Sequence, residues 1–157
     1  MEVVINASPI IFLSKIERIW ILDKLFDRVF IPKAVLQEVN VCKMAGRENQ
    51  LDLISYEILE VVNQTAVLGM LGRLHKGEVE VMIGAVTQGV RTVVLDDRYA
   101  RNKAKQLGLE VTGTLGLLLR ANKVGLIDNL TSDIQKLKRA GMYISDEIIA
   151  RILSGIY

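Results

Sequence analysis

Short apolar runs alternate with helical stretches along this chain, and this alternation restricts its fold more than any other feature of the sequence. Residues 2–6 have the composition of a fully buried strand, and so do RVFI (28–31) and RTVVLDD (91–97). Helical stretches follow them, and LEV (109–111) predicts one further short strand. Strands that alternate with helices form a parallel sheet covered by helices. We therefore predict an α/β fold of three layers, α/β/α, with a central parallel sheet.

Capping residues set the expected bounds of the helices. Ser8 is predicted as the N-cap of the first helix, with Pro9 at its first helical position and its end near Ile16. Gly89 and Gly108 are expected to end later helices, because glycine readily adopts the conformation that follows a helix C-terminus. The other expected segments are helices at 19–27, 32–40, 76–88, 98–107 and 112–125, two C-terminal helices, a polar loop or frayed helix end at 43–52 and a strand at 56–62.

Length and composition indicate one domain. The chain has 157 residues, half of them hydrophobic, which suffices for one core and not for two ordinary domains, so we expect a single domain at 1–157. A net charge of +2 permits contact with nucleic acid without requiring it. The single cysteine, Cys42, excludes an internal disulfide, and the lone His75 is expected at the surface. With no charged leader and no apolar run of about 18 residues, we expect a cytoplasmic protein without membrane contact.

Polar side chains follow the predicted strands, where the carboxyl ends of a parallel sheet meet and ligands bind. Asn6 ends the first strand, Asp96 and Asp97 end a later one, and Glu38 and Glu78 lie on helices of the same pattern. Carboxylates brought together repel one another, and a divalent cation held by oxygen ligands compensates for this. The sequence therefore predicts a Mg²⁺ or Mn²⁺ site. In the alternative, the glutamates are solvated helix residues and the aspartates cap the next helix.

Four segments of the chain together resemble PIN-domain proteins, in particular their VapC-like prokaryotic branch: VVINASPIIFLSKI, FIPKAVLQEV, GEVEVMIGA and VVLDDRYARNKAKQLGLEVTGTLGLLL. The resemblance covers nearly the whole chain. It implies a PIN-like parallel sheet with an acidic site and a metal-dependent ribonuclease that is the toxin of a toxin–antitoxin pair. It also implies RNA as the substrate, Mg²⁺ or Mn²⁺ as the cofactor and a cognate antitoxin protein as a partner.

Carried over one position at a time, the resemblance places Asn6 where most PIN proteins have their first aspartate. Glu38 then stands at the second acidic position, Glu78 at the third, and Asp96 or Asp97 at the fourth. These five are the expected metal-binding and catalytic residues. Asparagine still offers an oxygen ligand but removes one negative charge, so metal affinity should be lower. The alternative is a non-catalytic PIN-like module with a degenerate metal site that binds nucleic acid or protein.

A second group of residues is expected to contact RNA. The resemblance places the Ser8 hydroxyl near the metal site, with helix capping as its alternative role. Thr114 begins a helix whose free N–H groups are suited to a phosphate, with N-capping again the alternative. The basic helix after the acidic turn is either a solvated face or a set of contacts to the RNA backbone. Its residues are Arg98, Arg101, Lys103 and Lys105.

Apolar helices near both ends of the chain predict self-association. A short domain with this many apolar helix faces has more apolar surface than its own sheet covers. Packing onto the sheet is the alternative. We expect a homodimer in solution, formed through apolar residues of these helices: Trp20, Leu22, Phe26, Ile148, Ile149, Ile152, Leu153 and Ile156.

Overall fold

One five-stranded sheet in which every pairing is parallel forms the centre of the molecule, as seen in a computed structural model that describes residues 1–46 and 50–154. Its strands are β1 (Glu2–Ile5), β2 (Arg28–Pro32), β3 (Glu57–Leu59), β4 (Thr92–Val94) and β5 (Glu110–Thr112). They lie in the order β3-β2-β1-β4-β5. Helices flank the sheet, and the predicted α/β architecture with a central parallel sheet is confirmed.

Helices join the strands and continue beyond the last one. They are α1 (Ala7–Lys15), α2 (Ile21–Leu25), α3 (Lys33–Met44), α4 (Gln64–Met70), α5 (Lys76–Gln88), α6 (Arg98–Gln106), α7 (Thr114–Lys123), α8 (Leu130–Arg139) and α9 (Asp146–Leu153), with a 3-10 turn at Leu51–Leu53. Helix α4 was not predicted. Within the predicted polar segment at 43–52, residues 47–49 lie outside the described part. No helix in the described residues is long and apolar enough to cross a membrane.

The strand order reverses at β1, which has β2 and β3 on one side and β4 and β5 on the other. Such a reversal opens a crevice at the carboxyl ends of the two central strands, where open α/β sheets bind their ligands. Three fully buried residues of β1, Val3, Val4 and Ile5, hold this strand in the core. The backbone N–H of Asn6 then donates to the carbonyl oxygen of Val94 at 3.1 Å. Asn6 is therefore fixed at the crevice.

The first helix begins earlier than its capping signal predicted. Asn6 occupies the N-cap position with an extended backbone, Ser8 is the second residue of α1 and Pro9 is the third. The prediction of Ser8 as the N-cap is therefore wrong. Proline is tolerated throughout the first turn, because N–H groups there have no partner within the helix. Pro9 consequently does not mark the first helical position.

The helix after β5 also differs from its predicted start. Gly113 occupies the N-cap position of α7, with an extended backbone and no side chain to accept a hydrogen bond, and Thr114 is the first helical residue. The prediction that Thr114 is the N-cap of this helix is therefore wrong. The predicted stop at Gly89 is confirmed, since this residue follows α5 in the left-handed conformation with φ of 71°.

The apolar residues predicted to drive self-association are largely covered by the chain itself. Ile148 is the most exposed of those described, at 43 %. Ile156 lies outside the described residues, as does the side chain of Leu153. The remaining ones are buried in the core or packed against it: Trp20, Leu22, Phe26, Ile149 and Ile152. Packing onto the body of the protein, the alternative to self-association, therefore accounts for most of this apolar surface.

Candidate active site

Asn6 stands at the N-cap position of α1 without using its side chain as a cap. Asparagine at this position normally accepts a hydrogen bond from the helix backbone, but Asn6 makes no such bond. Its Oδ1 atom is buried and has no hydrogen-bond partner among residues 1–46 and 50–154. Leaving a buried acceptor unpaired costs roughly 1–3 kcal/mol. Because this oxygen lies at the end of the central strand and no bond in the described part of the chain offsets its cost, we interpret it as a position that binds a ligand.

The Asn6 oxygen shares a small space with the carboxylate of Glu38. A Cβ atom added to Gly77, near the start of α5, would lie 3.3 Å from Asn6 Oδ1 and 3.2 Å from Glu38 Oε2. Both oxygens therefore face the same stretch of helix backbone, and any larger residue at position 77 would crowd them. Carboxylate and amide oxygens are the ligands that Mg²⁺ and Mn²⁺ prefer.

The charges of Glu78 and His75 act on the carboxyl group of Glu38. Partial withdrawal from water raises the pKa of Glu38; the charge of His75 opposes this rise and the charge of Glu78 adds to it. Glu78 is buried, and its Oε2 accepts the backbone N–H of His75 at 2.9 Å, which satisfies a free donor at the start of α5. His75 itself is exposed, as predicted. A cation beside these carboxylates would offset their repulsion.

Asp96, two residues after β4, is engaged by groups of the protein. Its Oδ1 accepts the backbone N–H of Thr114 at 2.8 Å, and its Oδ2 accepts the Thr114 hydroxyl at 2.7 Å. Burial raises the pKa of Asp96, while the two Thr114 bonds, the charge of Arg101 and the hydroxyl of Ser8 lower it. Thr114 is fully buried, so both of its donors serve Asp96. Asp96 therefore links the starts of α1 and α7 at the crevice.

Arg101 is directed toward Asp96. Its Nη1 donates to the carbonyl oxygen of Leu95 at 3.3 Å. A Cβ atom added to Gly113 would lie 2.5 Å from this Nη1 and 2.8 Å from Asp96 Oδ1, so the close approach requires glycine. Arg98, in contrast, is exposed. Of the two arginines predicted to contact RNA, Arg98 faces solvent and Arg101 offsets the charge of the half-buried Asp96 carboxylate.

Asp97 caps a helix, as the alternative interpretation of the sequence anticipated. Its Oδ1 accepts the backbone N–H of Ala100 at 2.8 Å, and the residue is exposed at the start of α6. An N-cap of this kind stabilises a helix by about 1 kcal/mol. One oxygen of Asp97 is therefore committed to α6.

The five predicted site residues do not form one cluster of carboxylates. Among residues 1–46 and 50–154, no group of three or more His, Cys, Asp or Glu side chains is arranged to hold a metal ion. The structure brings Asn6 and Glu38 together, with Glu78 beside Glu38, and it engages Asp96 and Asp97 in other bonds. The Asn6 and Glu38 oxygens nevertheless fit a divalent cation, because they converge on one space and one of them is buried without a partner.

The molecule is an α/β protein whose parallel sheet reverses its strand order at β1, and acidic groups lie in the crevice at this reversal. A sequence profile described as PIN domain matches residues 2–156, and the chain belongs to the PIN-domain family. PIN domains are typically nucleases and generally bind divalent metal ions.

Comparison with solved structures supports the fold. A PilT N-terminus domain protein from the hyperthermophilic archaeon Sulfolobus solfataricus P2 superposes with a TM-score of 0.56 and 21 % sequence identity, over 77 % of this chain and 93 % of that chain. At this identity the likeness shows a shared fold. No curated protein matches the sequence.

Two site features were not predicted from the sequence. Gly77 has a local signal, because a glycine inside a helix is destabilising and often marks a close approach. Glu80 has none: it is buried, and it accepts the backbone N–H of Ala34 at 3.0 Å, from a helix 46 residues earlier in the chain. This bond joins the starts of α3 and α5, and it positions Glu38 and Gly77 relative to each other.

Proposed function

We propose that the chain is a metal-dependent ribonuclease of the PIN type, the toxin of a cytoplasmic toxin–antitoxin pair in the VapC-like branch. The observation that carries the proposal is the buried, unpaired Oδ1 of Asn6 next to Glu38 Oε2, at the reversal of the sheet. Membership of the PIN-domain family supports nuclease activity at the coarser level. Metal dependence and the toxin role are the finer parts of the proposal.

Asn6, Glu38 and Glu78 are the residues that would hold the cation. A bound divalent cation supplies positive charge that stabilises the negative charge developing on a phosphate during hydrolysis. Glu38 binds it as the ionised carboxylate, so its raised pKa makes binding weaker as the pH falls. Asp96 holds Arg101 at the edge of the same crevice, where a guanidinium suits a phosphate. Water is the nucleophile in this chemistry, and no side-chain nucleophile is needed.

The test is cleavage of single-stranded RNA by the purified chain in Mg²⁺ and in Mn²⁺, with EDTA as the blank. The parent chain should cleave, and Glu38→Gln should lower the rate at least about tenfold, because the ligand loses its charge. Glu147→Gln is the matched control, since Glu147 is exposed on α9. Cleavage that Glu38→Gln leaves unchanged would contradict the proposed site.

The second candidate function, a non-catalytic module that binds RNA or protein, is favoured by one observation. Arg101 and Thr114 engage Asp96, which leaves one carboxylate and one amide oxygen at the Gly77 space, with the charge of Glu78 acting on that carboxylate. Fewer charges mean weaker binding of a hydrated dication. RNA binding by the parent chain without cleavage in either metal would establish this function in place of the first.

A cognate antitoxin follows from the toxin role. We propose a partner segment that places an arginine against the acidic crevice and folds onto exposed apolar side chains, such as Val62 and Leu68. Co-expression with the small protein encoded by the adjacent gene should give a complex that blocks cleavage. Glu38→Ala should weaken that complex. A complex of unchanged affinity would place the inhibitor elsewhere.

Self-association is proposed through exposed apolar surface that the body of the protein does not cover. Val41 and Met44 on α3 are 65 % and 89 % exposed. Light scattering at micromolar concentration should show a homodimer, and Met44→Lys should shift it toward the monomer. A parent chain of 17.5 kDa in solution would rule this out.

A further inference from the structure

A cavity of about 310 Å³ lies between the end of α4 and the first turns of α6. Three of its lining side chains are Arg73, Tyr99 and Lys103, and apart from a glycine the others are apolar. Tyr99 packs against the hydrophobic core, which fixes its ring. The cavity therefore presents two cations on one aromatic surface that packs against the core.

Both cations lie against the Tyr99 ring. The guanidinium carbon of Arg73 is 4.6 Å from the centroid of the Tyr99 ring, and Lys103 Nζ is 5.8 Å from it. Neither cation is in an ion pair within 1–46 and 50–154. A ring quadrupole attracts cations without neutralising them. Two uncompensated positive charges at one cavity indicate an anionic ligand.

Two residues that line the cavity are close in the chain to residues of the acidic crevice. Leu74 lines it and directly precedes His75, whose charge acts on Glu38. Tyr99 lies three residues after Asp96, in the first turn of α6. A polyanion that reaches the crevice with one of its charged groups can therefore place a neighbouring group in the cavity.

We propose that the cavity of Arg73, Tyr99 and Lys103 binds a backbone phosphate of single-stranded RNA, adjacent to the nucleotide at the acidic crevice. The substrate class rests on the proposed function. A planar guanidinium binds phosphate oxygens in a bidentate manner, and an ammonium adds a point charge. Arg73 already covers the Tyr99 ring, so the site takes the phosphate and does not stack a base. Contacts of this kind give affinity without base preference.

The test measures the anisotropy of a fluorescein-labelled oligouridylate with the full chain in EDTA, where cleavage does not interfere. Arg73→Gln combined with Lys103→Gln should raise the Kd about tenfold. The slope of log Kd against log salt should fall by about 0.7, because the cavity contacts one phosphate and each phosphate contact to a single strand contributes about 0.7. Arg73→Lys keeps the charge and should keep the slope, and thermal unfolding verifies that each variant is folded.

The matched control removes the same two charges elsewhere. Arg91 directly precedes β4, and Lys123 is the last residue of α7. Arg91→Gln combined with Lys123→Gln should change the Kd less than about twofold. Equal effects of the two double variants would overturn the proposal, because the cavity would then act only through net charge.

Two further results would also overturn it. One is a parent chain that does not bind the oligouridylate. The other is displacement of the RNA by polyglutamate at equal charge concentration, which would identify the cavity as a site for an acidic protein. Failure of the proposed nuclease is distinguishable: a chain that binds RNA through the cavity but does not cleave it in Mg²⁺ or Mn²⁺ refutes the catalysis and supports the cavity.

Discussion

Asp96 accepts both hydrogen-bond donors of Thr114, the backbone N–H at 2.8 Å and the hydroxyl at 2.7 Å. The pair fastens the start of α7 to the turn after β4, next to the crevice. A half-buried carboxylate held in this way depends on its donors, since removing one leaves an unpaired oxygen at a cost in free energy. Asp96 is therefore first of all a residue that organises the crevice.

Thr114→Val should destabilise the protein. The hydroxyl donor is lost while the half-buried carboxylate remains, so the free energy of unfolding should fall by about 1–3 kcal/mol. The pKa of Asp96 should rise further, because the Thr114 bonds lower it. Urea unfolding measures the change. Thr131→Val, at an exposed position of α8, is the control, and an equal loss in both variants would contradict the role of the bond.

Gly77→Ala should separate metal binding from stability. The added Cβ would lie 3.2 Å from Glu38 Oε2 and 3.3 Å from Asn6 Oδ1, so both oxygens must move apart and Mn²⁺ affinity should fall about tenfold. The Cβ atom added by Gly69→Ala, on α4, meets no atom of the described part of the chain within 4 Å, so this variant should stabilise the helix by about 0.5–1 kcal/mol. Calorimetry and urea unfolding measure the two quantities. Unchanged Mn²⁺ affinity in Gly77→Ala would place the metal elsewhere.

Stability without metal should fall as the pH rises above 4.5, the ordinary pKa of Glu38. Loss of hydration raises the pKa of Glu38 in the folded chain, so above 4.5 the folded state binds more protons than the unfolded state. Asp96 contributes in the same direction. Urea unfolding at pH values above 4.5 should show a smaller fall in the free energy of unfolding for Glu38→Gln than for the parent.

Glu57 provides the control of opposite sign. Its hydrogen bond with Arg28 lowers the pKa of Glu57, so its contribution is present above its ordinary pKa and is lost as the pH falls. Glu57→Gln should therefore leave the fall above pH 4.5 in place. If the free energy of unfolding of Glu38→Gln depended on pH as it does in the parent, this result would contradict Glu38 as the source of the fall.

Asn6→Asp should make stability depend more strongly on metal. The new carboxylate lies beside Glu38 and raises its pKa, so the metal-free protein should lose about 1–2 kcal/mol of stability at neutral pH. Mn²⁺ should then bind about tenfold tighter and raise the melting temperature more than in the parent. Asn102→Asp, exposed on α6, is the control. An Asn6→Asp protein with no larger Mn²⁺ response would show that residue 6 does not face the cation.

Local sequence signals predicted the strands and the C-terminal ends of helices, since these depend on neighbouring residues. The hydrophobic run of β1 and the stop at Gly89 are examples. The start of α1 was misplaced because pairing in the sheet overrides the Ser-Pro signal: Asn6 bonds to Val94, β1 ends at Ile5, and the helix begins at once.

The arrangement of the site could be predicted only in part. The positions of Asn6 and Asp96 at strand ends follow from the parallel sheet. The partners of Asp96 do not, because Thr114 comes from 18 residues later in the chain and its donors reach the carboxylate only after β4 and β5 pair. The sequence likewise holds no local signal for the bond between Glu80 and Ala34.

Titration of the metal-free chain with Mn²⁺ in a calorimeter tests the central claim, that Asn6 and Glu38 hold a divalent cation, most directly. We predict one Mn²⁺ per chain, an affinity at least about tenfold lower in Glu38→Gln, equivalent to about 1.4 kcal/mol, and no change in Glu147→Gln. Binding of equal strength in the parent and in Glu38→Gln, or no binding in the parent, would contradict it.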